Sequence, residues 1–468
     1  MHLASPGECL HMHQLGVAKR SVEAMERFLS HDLKISDHMA RHIQLSKIAQ
    51  CYGFLLSRQS ERNLPRARFS TSILNPKMKE GKDYAGMILC LVLALLSARG
   101  RFILTLKSKS PDRTKRKINA RIKHLEFVLF MEEFLKHGGL RMTDVNALRK
   151  LIDDFVTSIN KHTKRNEGMD TRLIKNHLYF HLPQQIEMWG PPEGWDSAPS
   201  ESHHKTEIKG PSKNTQMNAH TLIEQTAKRQ AEKKFLDMTA DHLPKHCPIP
   251  MQQEVPKMGG AKFTVEISPG DAVPVMKWTK KHNAMKPLLP KEVLRHCSDL
   301  LLSDTVNKIE GYTEHNITIG EKSCKFRAHP SHKSSPGEGH KSWYDWANFQ
   351  YVDDDDNVEK APAQIMCFLN VLDAHTTKNL QIADAGLRAV VRTFVQPPTK
   401  KTTSSIIAHG SLSNQFMTYS CDSIASTVAV VRDINMSGDI NDGNSHFVVN
   451  NRESWLHEFH SKLAATHL

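Results

Sequence analysis

Residues 361–372 read APAQIMCFLNVL. The run is mostly apolar, broken only by Gln364 and Asn370, and sits between polar residues, so it reads as a buried strand. Working outward, the same texture recurs on both sides. AKFTVEI (261–267), NITIG (316–320) and SCKFRAHP (323–330) are short strand-like runs before it. WYDWANFQYV (343–352) is aromatic and partly alternating, and GLRAVVRTFVQP (386–397), STVAVVRDI (426–434) and HFVVN (446–450) follow. Short strands separated by polar turns predict a small antiparallel barrel or sandwich. The last stretch, 450–468, reads as a helix capped by Asn450 or Asn451.

Before residue 243 the periodicity changes. VEAMERFLSHDLKI (22–35) and HMARHIQLSKIAQCYGFLL (38–56) place apolar residues at helical spacing, with Ser36-Asp37 as a start signal between them. Residues 57–82 read as a surface connection. GMILCLVLALLSA (86–98) is the longest apolar run and reads as a fully buried helix; a bilayer span needs about 20 residues. The basic run within RFILTLKSKSPDRTKRK (101–117) reads as a solvated loop. IKHLEFVLFMEEFLKHGG (122–139) is an amphipathic helix with a glycine stop, and MTDVNALRKLIDDFVTSINKHTKR (142–165) repeats the pattern with Thr143 as its cap. LIKNHLYFHLPQQIEMWGPP (173–192) ends either near Pro183 or at the Trp189-Gly190 turn. A charged helix follows from Ala219, and the proline-rich stretch 244–260 reads as a linker.

With 468 residues the chain is long enough for two to four domains. Its 63 Lys and Arg against 50 Asp and Glu give a net charge of +13, which favours a polyanionic partner. The 8 cysteines form no CxxC pair, which speaks against a zinc finger or a disulfide scaffold and suits a reducing compartment. The N-terminus does not read as a signal peptide. No GxGxxG, GxxxxGK[ST] or GxSxG string occurs, which argues against a nucleotide-triphosphate enzyme or an ordinary esterase.

Four clusters carry candidate chemistry. In Glu201, His203, His204 and Lys205 a carboxylate is available to a divalent metal that activates water or a 3′-hydroxyl, although one Glu cannot do two-metal chemistry alone. The plainer reading is an intrahelical ion pair between Glu201 and Lys205. Lys205, Lys209 and Lys213 repeat every four residues and would lay a positive stripe along a phosphate backbone, interrupted by Pro211. Glu8, His11 and His13 form the second cluster, with a capping acid and a packed histidine as the plainer reading. Asp353 to Asp356 lack the spacing of a calcium loop and read as a hairpin turn. Finally, Lys322, Lys325, Arg327, Lys333 and Lys341 surround Phe326, Trp343, Tyr344 and Trp346, a mixture that suits either phosphate and base contacts or a barrel core with a solvated rim.

Several of these strings together resemble the later part of cut-and-paste transposase-like proteins of the CACTA and Plavaka type. The resemblance is carried by SPGECLHMHQLGVAKR (5–20), LPRARFS (64–70), GMILCLVLALL (86–96), residues 174–216 from IKNHLYFHLPQQ to KGPSKNTQ, FRAHPSHKSSPGEGHKSWYDWANFQY (326–351) and APAQIMCFLNVLD (361–373). It implies an RNase H-like fold with three acids holding two divalent metals, Mg2+ or Mn2+, for DNA strand cleavage and transfer. It places the third acid at Glu201 and matches the family's D-x-x-H element to Glu8-Cys9-Leu10-His11, where Glu replaces Asp. A strand carrying a first acid is not seen before Glu8, nor is an open sheet of the RNase H type, so the resemblance implies a truncated or transposon-derived relative.

The expectation is therefore an α+β chain. A mainly helical region over 1–243, a partial RNase H-like core with a helical insertion, precedes a linker at 244–262, a β-rich barrel-like domain at 263–449 and a terminal helix at 450–468. The expected catalytic residues are Glu201, Glu8, His11 and His204, with Glu201 and Glu8 holding metal. The expected DNA contacts are Lys205, Lys209, Lys213, Lys325, Arg327, Trp343 and Trp346. The expected setting is the nucleus, with DNA and a second copy of the chain as partners and no membrane. Two other readings stand beside it: a non-enzymatic DNA- or chromatin-binding protein, and a remnant without function.

Overall fold

The computed structural model describes residues 9–59, 61, 63–67, 69, 80–106, 108–164, 174–195, 212, 221–242, 259–266, 275–278, 306–332, 341–352, 357–373, 386–400, 403–434, 445–452, 454 and 455. At the level of class the α+β expectation holds: a helical N-terminal region precedes a curled antiparallel sheet. The chain divides into two compact units that do not follow its order. One comprises Met1–Arg20 with Met131–Val255, the other Ser21–Phe130 with Pro256–Leu468.

The first unit is helical. A wide helical segment, Cys9–Ala18, leads into α1 (Lys19–Arg27). The end of α5 (Pro111–Leu135), then α6 (Met142–His162), α7 (Ile174–Trp189) and α8 (Leu222–His242) complete it. On α6, Val145, Leu148, Ile152, Phe155 and Ile159 recur at helical spacing and are buried. On α7 the inward row is Tyr179, Leu182 and Ile186, with the Tyr179 ring edge-on to Phe155 at 5.1 Å. The start of α6 is fixed by Asp144, whose carboxylate accepts from the Arg141 N–H at 2.8 Å, rather than by Thr143. Of the two ends read for α7, the later one is formed: the helix passes through Pro183 and stops at Trp189, before Gly190 at φ +83°.

The second unit packs helices on a sheet. Its helices are the rest of α1, α2 (His38–Leu56), α3 (Asp83–Leu96), α4 (Ala98–Thr105) and the first part of α5. All fourteen residues of α3 are buried, as its composition required. No single described helix is long and apolar enough to cross a membrane; α3 and α4 pass that test only as a pair bent by 72°. The backbone of Arg66 and Ala67 lies against α2 and α3 at two glycines. A Cβ on Gly53 would sit 2.2 Å from the Ala67 carbonyl oxygen, and one on Gly86 would sit 1.7 Å from that of Arg66. From Pro111 on, the basic stretch read as a loop is helical instead. Pro111 opens α5, and the Lys and Arg residues that follow it are good helix formers.

The sheet runs β12-β13-β10-β8-β7-β3-β1-β2, with β4, β5, β6, β9 and β11 branching from that path. The strands are β1 (Gly259–Glu266), β2 (Val275–Trp278), β3 (Val306–Ile319), β4 (Lys322–His332), β5 (Lys341–Tyr344), β6 (Trp346–Val352) and β7 (Val358–Asp373). They continue as β8 (Gly386–Phe394), β9 (Thr399–Lys400), β10 (Ile407–Ser420), β11 (Ile424–Thr427), β12 (Ala429–Arg432) and β13 (Ser445–Val449). The long strand β7, which contains the 361–372 run, pairs with β8 along one edge and with β6 and then β3 along the other. β11 returns to pair with β6, so the sheet curls around Phe326, Phe349, Ile365, Phe368, Val391 and Ile424. The acid run 353–356 lies outside the described residues, but the strands flanking it pair with Val352 opposite Val358. At the other end of the chain, the Asn451 carboxamide accepts from Ser454 N–H at 3.0 Å, the cap expected there.

Asp345 ties the curl together. Its backbone N–H donates to the Arg327 carbonyl at 2.8 Å, and its carbonyl accepts from Ile365 N–H at 2.9 Å. Its buried carboxylate accepts from Arg327 N–H at 2.7 Å and from the Trp343 indole at 2.9 Å. Asp345→Ala leaves two donors without their acceptor and is expected to cost about 2–6 kcal/mol, at about 1–3 kcal/mol for each. Asp345→Asn, which keeps one acceptor oxygen, should cost less. Urea unfolding followed by tryptophan fluorescence checks both, and an Asp345→Ala midpoint equal to wild type would rule out this pin.

Candidate functional site

The structure disperses the residues expected to act. Glu8, Glu201, His204, Lys205, Lys209 and Lys213 lie outside the described residues. His11 is exposed on the wide helical segment, between the buried Leu10 and Met12. His13, two residues on, is fully buried and shares a hydrogen bond with the Tyr179 hydroxyl through Nδ1 at 2.7 Å. Burial pushes the Tyr179 phenol well above its ordinary range. Gln14 beside it donates to the buried Glu132 carboxylate at 3.0 Å, which also pairs with Lys136. His13 is thus the packed histidine that its neighbours allowed.

Two of the late-chain residues, Arg327 and Trp343, do meet. Arg327 and Lys325 lie on β4, and Trp343 lies on β5 opposite His329. The Arg327 guanidinium stands 5.0 Å from the Trp343 ring centre and that of Arg58, from the end of α2, stands 4.5 Å from it. A guanidinium over an indole is a cation–π contact, so this tryptophan already carries two. Lys325 pairs with Glu314 at 2.5 Å, and His329 Nε2 bonds the other oxygen of that carboxylate at 2.8 Å. Trp346 is elsewhere. It is buried among Leu412, Val430, Val448 and Phe394, in the core rather than on the surface.

Burial alone would raise the Glu314 carboxyl, but Lys325 and His329 hold it below its ordinary value. His329 moves down because burial outweighs Glu314. At neutral pH the pair is therefore a carboxylate with a neutral imidazole. Burial also lowers His42 and His315. His315 on β3 sits against Phe368 at 5.4 Å, inside the curl, and its Nδ1 has no partner among the described residues.

On α7 the structure brings together two side chains that are among none of the expected site residues. His177 is exposed and His181 half-buried, on the face opposite Tyr179, and their Nε2 atoms share a hydrogen bond at 3.0 Å. Their rings meet nearly edge-on, with centres 4.7 Å apart. Metal–imidazole bonds are about 2.0–2.1 Å, so this separation corresponds to an N–metal–N angle of roughly 95°. The nitrogen donor set suits zinc, copper or nickel rather than magnesium, which selects oxygen. The signal lies in plain view as H-x-x-x-H in HLYFH, since residues four apart share a helix face. Among the described residues, no group of three or more His, Cys, Asp or Glu could hold a metal ion. Comparison of the chain with protein-family models, with curated proteins and with solved structures finds no match.

The three lowered imidazoles set a pH dependence. The unfolded chain takes up protons near the ordinary value of 6.5, before the folded imidazoles do, so their contribution is complete above that value and is lost as the pH falls. The urea midpoint of the wild-type chain should fall between about pH 6.5 and 5.5, and His315→Phe should reduce that fall. A midpoint that is flat over this interval would show that the histidines are not held neutral.

Proposed function

We propose that the chain is a transposon-derived, DNA-associated protein whose divalent-metal chemistry is centred on α7 and the segment that follows it. The reading rests on the resemblance of the quoted strings, and the structural observation nearest to it in sequence is the His177–His181 pair, hydrogen-bonded through Nε2 at 3.0 Å. In sequence His177 and His181 stand 24 and 20 residues before Glu201, the acid assigned to metal by the resemblance. The net charge of +13 supports a polyanionic partner. An RNase H-like core with a helical insertion, and a nuclear setting, belong to the same proposal and rest on the quoted strings.

Metal would polarise a phosphodiester and lower the pKa of a bound water. On this reading Glu201 supplies oxygen ligation for that chemistry, while the pair on α7 takes a nitrogen-preferring ion and braces the helix. The second reading, a DNA-binding protein without cleavage, differs in one result. Supercoiled plasmid incubated with the full chain and Mn2+ or Mg2+ should be nicked, and Glu201→Ala should abolish nicking. Zn2+ binding, measured by calorimetry on the full chain, should lose one site in His177→Ala/His181→Ala. Duplex binding without nicking leaves the non-enzymatic reading, and neither nicking nor duplex binding rejects both.

A further inference from the structure

The first half of α5 carries more positive charge than its fold uses. The stretch from Pro111 reads PDRTKRKINARIK and holds six Lys or Arg residues within thirteen positions, with one Asp. Three of the six are engaged. Lys117 donates to the Asp32 carbonyl, and Arg121, fully buried, donates to the Ser21 carbonyl at 2.7 Å. Lys115 pairs with Asp112 at 3.4 Å. Arg113, Arg116 and Lys123 remain exposed, as does Lys109 just before the helix, and none of them has a carboxylate partner among the described residues.

Their spacing is not scattered. At 100° per residue, Arg113, Arg116 and Lys123 fall within about 80° of one another, on one stripe of the helix. The buried row Thr114, Ile118, Ile122 and Leu125 holds α5 in the second unit, so the stripe is presented by a helix whose other side is fixed. From Arg113 to Lys123 the stripe is about 15 Å long. Like charges on one helix face repel, and cations near a helix N-terminus oppose the macrodipole. Such a pattern costs stability in the isolated molecule, and an external anion relieves it.

We infer that this stripe is a docking surface for the phosphate backbone of duplex DNA. The inference deepens the DNA-associated reading and rests on it. Charge complementarity selects a polyanion, and the residues between the cations select among polyanions. Asn119 and Ala120 lie beside them and are half-buried, with no large apolar or aromatic group to enter a bilayer interface or to stack on unpaired bases. The stripe therefore gives charge contacts without base reading, which is what backbone recognition uses.

The test is a salt series of the full chain on a labelled duplex, with wild type and Arg113→Gln/Arg116→Gln/Lys123→Gln. All three side chains are exposed, and an unchanged circular dichroism melt confirms that the variant folds. The variant is expected to bind at least tenfold more weakly at low salt. The slope of log affinity against log salt should flatten by about 2–3, close to 0.9 for each phosphate that the variant no longer neutralises. Wild-type binding with the same slope in the variant overturns the inference and leaves the DNA-associated reading intact. No duplex binding by wild type overturns both. Tighter binding to phosphatidylserine vesicles or to single-stranded RNA than to duplex, abolished in the variant, reassigns the surface and overturns the inference.

Discussion

The curl of the sheet depends on one buried carboxylate. Asp345 stands between β5 and β6, where the chain must leave one pairing and enter another. At that point backbone donors would otherwise go unmet in an apolar interior. The Asp345 carboxylate takes the Arg327 N–H and the Trp343 indole, and its own backbone continues the ladder to β4 and β7. A buried charge is tolerable only when donors surround it, so the residue also forbids looser arrangements of these strands. By fixing Trp343, it positions the ring over which Arg58 and Arg327 lie. One side chain thus joins a strand junction to a helix end.

The same logic joins the helices of the second unit to the far edge of the sheet. Among the described residues β12 pairs only with β13, and an edge strand left open would present unmet backbone groups. The end of α2 and the residues after it meet several of them. Gln59 accepts from Val430 N–H at 3.3 Å and the Tyr52 hydroxyl from Ile434 N–H at 3.1 Å. Glu61 takes the Thr427 hydroxyl at 3.0 Å. From the other side, Arg99 N–H donates to the Ile434 carbonyl at 3.1 Å, and Asp433 accepts from Ala98 N–H at the start of α4. On α5, Glu126 receives Ser404 and Ser405. Polar side chains on helices act here as the missing neighbours of a strand.

How much of this the sequence displays depends on the range of the interaction. APAQIMCFLNVL, GLRAVVRTF and HFVVN announce their strands because alternation and apolar runs are local. IAHGSLSNQFMTYS does not, being polar and containing Gly410, yet it forms β10 and pairs with β8, β9 and β13. Its strand character comes from partners distant in sequence. The basic stretch before Ile118 misleads because charge density suggests solvent, while Lys and Arg favour helix and Pro111 suits its first turn. The ligand spacing of His177 and His181 is legible in a few letters of text. The stacking of Arg58 on Trp343 is not, since nothing local to either residue indicates the other. The acids expected to hold metal, Glu8 and Glu201, fall outside the described residues.

The positive charge of the chain is also explained by how its cations are satisfied. Where a carboxylate neutralises a lysine, as Glu314 does Lys325, no field remains. Arg121 and Lys117 donate instead to main-chain carbonyls. A carbonyl meets the hydrogen-bonding demand of a cation but cancels none of its charge. Arg121 is lowered by burial to about 10, and Asp32 acts the other way, so it stays protonated at neutral pH, with its guanidinium 5.5 Å from the Phe28 ring centre. Its charge therefore adds to that of Arg113, Arg116 and Lys123 on the outer side of the same helix. Low-dielectric packing behind the stripe screens it less than water would, which raises the potential the stripe offers to an approaching anion. The inward and outward cations of α5 are in this sense one feature: the buried ones fix the helix, and the charge they retain strengthens the face that the helix presents.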